Sequence, residues 1–433
     1  QLRREPIVND LIAVNPPNNY AVGFIKDFPQ GFKGNELTRI EGGLLAEKLI
    51  DHYQSRIAYN LLTLEPEVDG KTVTVDYLDL FYSYLNMKGY KIRKEAAGDA
   101  LLIAARQNTY HPVNSYLERI AGDDSIKPIN LENVATNYLG TNLELYNQML
   151  KMTLIAAVAR VKNRGCKFDF CTVLLGEQGA RKSSFWRYLA SDNWFCDTWQ
   201  NKEQDLFMAI QCCWIYEIAE FDRVNPDGQK AAKLKALLSS SVDKFRRPYS
   251  RAIGNYPRPS IMVSSCNRSD FLNDPTGNRR YWIIDLLEKT IDTDLVIRDR
   301  DRIWKAALLA YKEGMILDLP KEFREKLHIY NENYESEHPF FSRIEEWTNK
   351  PHNKYRFTTV QALVNSGCRD SEHVTEKDTM SAADCLKKLG FKKRQQRVNK
   401  SRKYYWHHPE WTIEQLTKDP RQTRLPDKRH SEI

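Results

Sequence analysis

Between Thr172 and Ser184 the chain reads Thr-Val-Leu-Leu-Gly176-Glu177-Gln178-Gly179-Ala180-Arg181-Lys182-Ser183-Ser184. A short apolar run enters a loop with two glycines, and a Lys-Ser pair opens the stretch that follows. In a loop of this kind, backbone N–H groups and the N-terminus of the next helix can surround a phosphate. The lysine supplies a mobile positive charge to the β- and γ-phosphates, and the serine hydroxyl ligates Mg²⁺. Lys182 and Ser183 stand where those roles require, so residues 176–184 are expected to bind a nucleotide. One position departs from the G-x-x-x-x-G-K-[ST] pattern: Arg181 stands where a second glycine is usual. Glycine suits that place because the backbone there can need a positive φ; Gly179 is expected to supply part of that freedom. An ordinary strand–turn–helix connection is the plainer alternative.

Further on, Trp214-Ile-Tyr-Glu217-Ile-Ala-Glu220 is an apolar strand ending in acids. One acid of such a pair can hold Mg²⁺, and another can orient or deprotonate an attacking water. Next comes Asp243-Lys244-Phe245-Arg246-Arg247-Pro248-Tyr249-Ser250-Arg251, then a strand-like run from Pro257 that ends in Asn267, then Arg279-Arg280 after a turn. Each has a plainer reading. Glu217 could face solvent at a strand end, Asn267 could cap a turn, and the arginine pair could meet surface acids.

Taken in order, these segments resemble the virulence-associated protein E family of phages and mobile elements, whose ATPase domain is similar to superfamily 3 helicases. The resemblance spans roughly residues 105 to 290 and includes the lead-in segments Asn108-Thr-Tyr-His111-Pro-Val and Ile155-Ala-Ala-Val-Ala-Arg160. It implies ATP and Mg²⁺ as cofactors, with Ser183 and Glu217 at the metal. Lys182, Glu217 and Glu220 would act in catalysis, and Asn267 would sense the γ-phosphate. Arg279 or Arg280 would act as an arginine finger on a neighbouring subunit's site, a contribution of ~10³–10⁵ in rate where it operates. A trans-acting finger implies a homo-oligomeric ring, a hexamer.

The same resemblance places Asp243–Arg251 in a hairpin lining the ring's channel. Lys244, Arg246, Arg247 and Arg251 would meet DNA phosphates there, and Phe245 and Tyr249 would stack on bases. Arg246 or Arg247 could instead serve the nucleotide site or pair with Asp243. The activity implied is an ATP-dependent DNA helicase or translocase, or the helicase part of a primase-helicase, in mobile-element replication. Two other classes stay open: a DNA-binding initiator or assembly module whose ATPase is degenerate at Arg181, and a nucleotide-gated defence switch. The first hundred residues show no two-metal acidic motif, and Asp76-Tyr-Leu-Asp79 reads as a helix start with solvated acids, so this chain alone is not expected to be the primase; the resemblance implies that a primase domain can stand upstream.

These residues need elements to hold them. The apolar runs at Phe170–Leu175, Trp194–Thr198, Cys212–Ile218 and Ser260–Ser265 alternate with helical stretches, which predicts a parallel α/β core; the resemblance implies that this core is a P-loop, AAA+-like one. Ahead of it, Gly42–Tyr59, Ala96–Asn108, Pro112–Ile120 and Asn142–Val161 read as helices. Residues 1–110 are expected to form a mixed, mostly helical region, 111–335 the ATPase domain and 336–433 a basic, winged-helix-like domain. In the last of these, the helix Ser381–Leu389 should stop at Gly390 and be followed by a hairpin turning at Asn399–Ser401. Lys392, Lys393, Arg394 and Arg397 on that hairpin are expected to contact duplex DNA.

The bulk numbers agree with this organisation. The chain has 433 residues, 41% of them hydrophobic, and a net charge of +8. From Phe391 to Ile433 there are twelve Lys/Arg against five Asp/Glu, so nearly all the excess sits at the C-terminal end. A basic end on a near-neutral body points to a polyanion. None of the eight cysteines forms a C-x-x-C pair, and they read as buried thiols in a reducing compartment; the resemblance implies the cytoplasm of a bacterial or phage-infected bacterial cell. No apolar stretch approaches the ~20 residues that span a bilayer.

Overall fold

The computed structural model describes residues 24–219, 228–246, 252–269, 271–272, 277–334, 339–398 and 401–417. The chain divides into two compact units, residues 1–335 and 336–433.

The first unit begins with a mixed region. Strand β1 (Thr38–Arg39) is followed by helix α1 (Gly42–Tyr53) and strands β2 (Ile57–Asn60), β3 (Glu65–Val68) and β4 (Lys71–Thr72). Helix α2 (Val75–Met87), β5 (Tyr90–Lys91), α3 (Lys94–Arg106) and β6 (Thr109–Tyr110) complete it. The helix expected over Gly42–Tyr59 stops at Tyr53, because Gln54 takes a φ of +50° and breaks the hydrogen-bond ladder. Ile57-Ala-Tyr-Asn then forms β2 at the centre of a four-stranded sheet ordered β4-β3-β2-β6. β-branched and aromatic side chains suit that pleated, half-buried setting. Thr74 caps α2, and Asp79 pairs with Lys94 at 3.1 Å, so these acids belong to the helix surface.

Helices α4 (Pro112–Gly122), α5 (Val134–Leu139) and α6 (Glu144–Lys162) lead to the main sheet. From Leu145 to Val161 almost every α6 residue is buried, as an element packed on several sides must be. The sheet comprises β7 (Cys171–Leu175), β8 (Phe195–Cys196), β9 (Ile215–Ile218), β12 (Ile261–Cys266) and β13 (Tyr281–Asp285). Its order is β13-β7-β12-β9-β8, and every pairing is parallel. A sheet covered on both faces needs continuous apolar strands, and all five residues of β7 and all six of β12 are buried. Strand β13 adds to the expected set, and Tyr281-Trp-Ile-Ile-Asp285 has the apolar run it requires.

Helices α7 (Lys182–Ala190), α8 (Glu203–Gln211), α9 (Gly228–Ser239), α10 (Thr293–Lys312) and α11 (Lys321–Glu332) surround the sheet. Trp214 packs at a tilt against Trp304 of α10 with ring centroids 4.0 Å apart, and its indole N–H donates to the Ala157 carbonyl at 2.9 Å. Outside the sheet, β10 (Val242–Phe245) pairs antiparallel with β11 (Gly254–Pro257).

The second unit holds α12 (Phe341–Asn349), α13 (Thr359–Asn365), α14 (Glu376–Lys388), the antiparallel pair β14 (Lys392–Val398) and β15 (Ser401–His407), and α15 (Ile413–Thr417). Gly390 follows α14 with a φ of +83°, and Phe391 N–H donates back to the Leu386 carbonyl at 2.9 Å. That is the glycine-closed helix end anticipated there. Phe391 and Trp406 belong to the apolar core of this unit. All eight cysteines are free thiols. Among the described residues, no helix is long and apolar enough to cross a membrane.

Candidate functional site

Because β7, β12 and β9 are adjacent and parallel, their C-terminal ends share one edge of the sheet, where ligands of open α/β folds usually sit. The loop 176–181 leaves β7, Asn267 follows β12, and Glu217 is the third residue of β9. Sheet order thus gathers residues separated by up to 91 positions in the chain.

The loop is anchored at both ends. Gly176 N–H donates to the Cys266 carbonyl at 3.2 Å, and a Cβ on Gly176 would stand 3.1 Å from the Leu286 side chain. Ala180 is buried, and its carbonyl accepts from Ile291 N–H at 3.2 Å, while Glu177, Gln178 and Gly179 are exposed. Gly179 has a φ of +90°. Arg181 has a φ of +60° and a ψ of +31°, the left-handed conformation in which a non-glycine residue is strained. Its guanidinium donates to the Thr293 hydroxyl at 3.1 Å. The backbone at this position therefore follows the path that favours glycine, with an arginine in place and its side chain tied to the start of α10.

Lys182 is buried, and its ammonium donates to the Gly176 carbonyl (2.8 Å), the Glu177 carbonyl (2.7 Å) and Asn267 Oδ1 (2.8 Å). Burial lowers its pKa, partly offset by Cys266 and Glu217. Ser183, half-buried on the first turn of α7, donates to Glu217 Oε1 at 2.8 Å, and Ser184 beside it is half-buried. Glu217 is 1% exposed. Burial raises its pKa, against the opposing effect of the Ser265 and Ser183 hydroxyls, while Asp197 raises it further. The plainer reading, a strand-end acid in solvent, does not hold.

Glu217 Oε2 is buried without a hydrogen-bond partner. A buried carboxylate oxygen left open, next to a hydroxyl bound to the other oxygen, suits a hard cation such as Mg²⁺. That ion commonly takes one or two protein oxygens and completes its shell with water and phosphate. Ser183 and Glu217 therefore fit the metal expected of them. Ser265 and Thr293 are not legible in the sequence, since a lone hydroxyl carries no pattern until the fold sets it beside a charge.

Other anticipated residues fall elsewhere. Arg279 and Arg280 close a single 3-10 turn, Asn278–Arg280, ahead of β13. Arg279 is exposed, and Arg280 Nε donates to the Ser239 hydroxyl at 3.2 Å. Lys244 and Arg246 are exposed on and just after β10. Phe245, expected to stack on bases, is instead 5% exposed and packs against Tyr256 with centroids 4.6 Å apart. Its place on the strand points it inward between Asp243 and the partner strand. Asp243 is buried against Arg258, whose Nε donates to Asp243 Oδ2 at 3.2 Å. Glu220, Arg247, Tyr249 and Arg251 lie outside the described residues.

In the second unit, Lys392, Lys393, Arg394 and Arg397 are all exposed on β14. Lys393 Nζ lies 5.3 Å from the Tyr404 ring and 5.5 Å from the Trp406 ring, and Arg397 stands directly opposite Arg402. Like charges facing each other across a strand pair repel, and a bound polyanion would relieve that.

Residues 121–336 match the virulence-associated protein E-like domain. Among solved structures, the chain is similar to the A form apo structure of the NrS-1 C terminal region, at 9% identity and a TM-score of 0.42, over 85% of this chain and 100% of that one. It is similar also to the apo structure of NrS-1 C terminal region (305-718), at 10% identity and a TM-score of 0.42, over 84% of this chain and 98% of that one. No curated protein matches the sequence.

Proposed function

From the premise that this chain belongs to the virulence-associated protein E family through residues 121–336, we propose that it is an ATP-dependent DNA helicase or translocase of mobile-element replication. The observation that carries the proposal is the meeting of Lys182, Ser183, Glu217 and Asn267 at the C-terminal edge of three adjacent parallel strands. An ammonium, a hydroxyl, an open carboxylate oxygen and an amide around one glycine-bearing loop are complementary to a polyphosphate with its cation.

In this reading the loop 176–181 and the first turn of α7 receive the phosphates, as a P-loop does, through backbone N–H groups. Lys182 leaves the carbonyls of Gly176 and Glu177 and turns its charge to the β- and γ-phosphates. Ser183 and Glu217 would hold Mg²⁺, which would supply charge neutralisation along the phosphate chain. Asn267, already in contact with Lys182, reports on the γ-position. Glu220 serves as the second acid. Arg279 or Arg280, on a turn away from its own subunit's loop, acts on a neighbour's nucleotide within a homohexameric ring.

Lys244 and Arg246, with Arg247, Tyr249 and Arg251, line the path of DNA. The basic hairpin β14–β15 acts as the wing of a winged-helix module on duplex DNA. A degenerate ATPase is the less favoured reading, because Arg181 keeps the backbone conformation a glycine would take. The deciding experiment is ATP hydrolysis by the purified chain with and without single-stranded DNA. Turnover stimulated by the strand is the expected result; absence of any turnover would overturn the motor and favour a DNA-binding assembly module.

A further inference from the structure

The N-terminal ends of the same parallel strands border a different cavity. It has a volume of about 560 Å³ and is lined by Tyr59, Leu61, Leu64, Arg106, Thr109, Arg164, Tyr256 and Pro257. Arg164 precedes β7 and Pro257 precedes β12, so the cavity lies at the end of the sheet opposite Lys182. Its walls come from the N-terminal sheet (Tyr59 on β2, Thr109 on β6), from the end of α3 (Arg106) and from β11 (Tyr256).

The lining has two guanidinium groups, two tyrosine rings and no carboxylate. Arg106 is exposed, and its guanidinium carbon lies 5.2 Å from the centroid of the Tyr59 ring. Tyr59 is itself fixed, donating from its hydroxyl to the Leu64 carbonyl at 2.7 Å. Arg106 is therefore a flat cation held on an aromatic support. Arg164 donates to the Leu61 carbonyl at 3.0 Å, and its Nε is buried without a partner. Leu64 holds a φ of +61° at the rim, a conformation that costs a leucine energy and recurs at binding sites. Tyr256, half-buried, lies on the same antiparallel pair as Lys244, which is exposed.

Aromatic rings and guanidinium planes set among positive charge are what unpaired bases with their phosphates require. A core-filling role does not account for them, because Arg106 and Thr109 are exposed and the cavity is open. We propose that this cavity is a second single-stranded DNA site, in which a base stacks between Arg106 and Tyr256 while its phosphate meets Arg164, so that a strand leaving Lys244 and Arg246 is held against the N-terminal sheet. The proposal rests on the DNA-handling reading above only for the nature of the strand.

The test uses the full chain with a fluorescein-labelled 15-mer of thymidylate, followed by anisotropy. Arg106→Ala and Tyr256→Ala should each weaken binding about tenfold, within the range that loss of one stacked base produces. Arg106→Glu should weaken it further. Arg106 is exposed, so its variants keep the wild-type melting temperature. A 15-mer carrying 5-iododeoxyuridine should cross-link to Tyr256 or Tyr59 on irradiation, read by mass spectrometry.

Unchanged affinity in both alanine variants, with the wild type still binding, overturns the cavity site and leaves the motor reading intact. No binding by the wild type overturns the site and the DNA part of the motor reading together. If thymidine monophosphate binds the wild type and is lost in both variants while the 15-mer is unaffected, the cavity takes free nucleotides and the strand assignment is overturned.

Discussion

Lys182 and Asn267, 85 residues apart, are joined by a 2.8 Å hydrogen bond from the ammonium to the amide oxygen. In the proposed function, the bond ties the residue that would meet the phosphates to the residue that would sense them, across the edge between β7 and β12. All three ammonium protons have acceptors, two of them loop carbonyls, so the proposed phosphate would have to replace existing bonds. Lys182→Ala should abolish ATP hydrolysis while leaving the far-ultraviolet circular dichroism unchanged. Unchanged turnover in that variant would remove the loop from the mechanism.

Arg181 gives a graded prediction. Its φ of +60° costs a side-chain-bearing residue roughly 1 kcal/mol relative to glycine. The bond to Thr293 returns a comparable amount, about 1 kcal/mol. Arg181→Gly should therefore melt close to the wild type, whereas Arg181→Ala keeps the strain, loses the bond and should melt lower. Thermal unfolding of the three chains checks the order; an alanine variant as stable as the glycine variant would contradict it.

Glu217 sets a pH dependence. Burial raises its folded pKa above the unfolded value. The folded chain thus holds a proton that the unfolded chain has lost in the interval between the two, and stability falls as pH rises through that interval. Above it the buried charge is a standing cost until a cation meets it. Without Mg²⁺ at neutral pH, Glu217→Gln should raise the melting temperature while eliminating Mg²⁺-dependent nucleotide binding. Differential scanning fluorimetry with and without Mg²⁺-ATP reads both effects, and a lower melting temperature for the glutamine variant would argue against a costly buried charge.

The arginine pair predicts complementation. If Arg279 or Arg280 serves a neighbour's site, the Arg279→Ala/Arg280→Ala chain should bind ATP with wild-type affinity yet hydrolyse it poorly. Mixing it with Lys182→Ala should restore part of the activity, through interfaces that combine an intact loop with an intact finger. A titration of one protein into the other measures this. Loss of ATP affinity in the arginine variant alone would place these residues in their own subunit's site.

The basic hairpin is best tested by charge. Phe391, Tyr405 and Trp406 are buried, so deleting residues from 391 onward would dismantle the core along with the cations. Replacing Lys393 and Arg397 by glutamine keeps that core. For duplex DNA, every cation withdrawn from a phosphate should flatten the dependence of log affinity on log salt by ~0.9. An unchanged slope would separate the hairpin from DNA.

Much of the candidate site's composition is legible in the sequence because its pattern is local. Lys182-Ser183 after a glycine-bearing loop is a contiguous signal, and the apolar strand holding Glu217 is another. Thr293 and Ser265 carry no such mark, because they matter only through sheet order and through the placing of α10 against the loop. The strand Tyr281–Asp285 is a plain apolar run, but the arginine pair directly before it dominates the pattern of that segment. The break after Tyr53 is hidden because Ile57 keeps a helical spacing with Tyr53; only the backbone turn at Gln54 separates the two elements. Phe245 faces inward because strand register decides its side, and a short run of cations and aromatics does not reveal that register.

Strand β12 has a residue of consequence just beyond each end. Arg258, 1% exposed, precedes it and is bound to Asp243 of β10 and to the Leu237 carbonyl, the latter at 2.6 Å; Asn267 follows it and touches Lys182. Removing one partner from a desolvated ion pair costs several kcal/mol, so the β10–β11 ribbon is firmly coupled to that strand. β12 thereby acts as a connecting rod. In the proposed function, a displacement at Asn267 on phosphate binding or release would have a stiff route, between two neighbouring strands, to the ribbon that carries Lys244 and Tyr256.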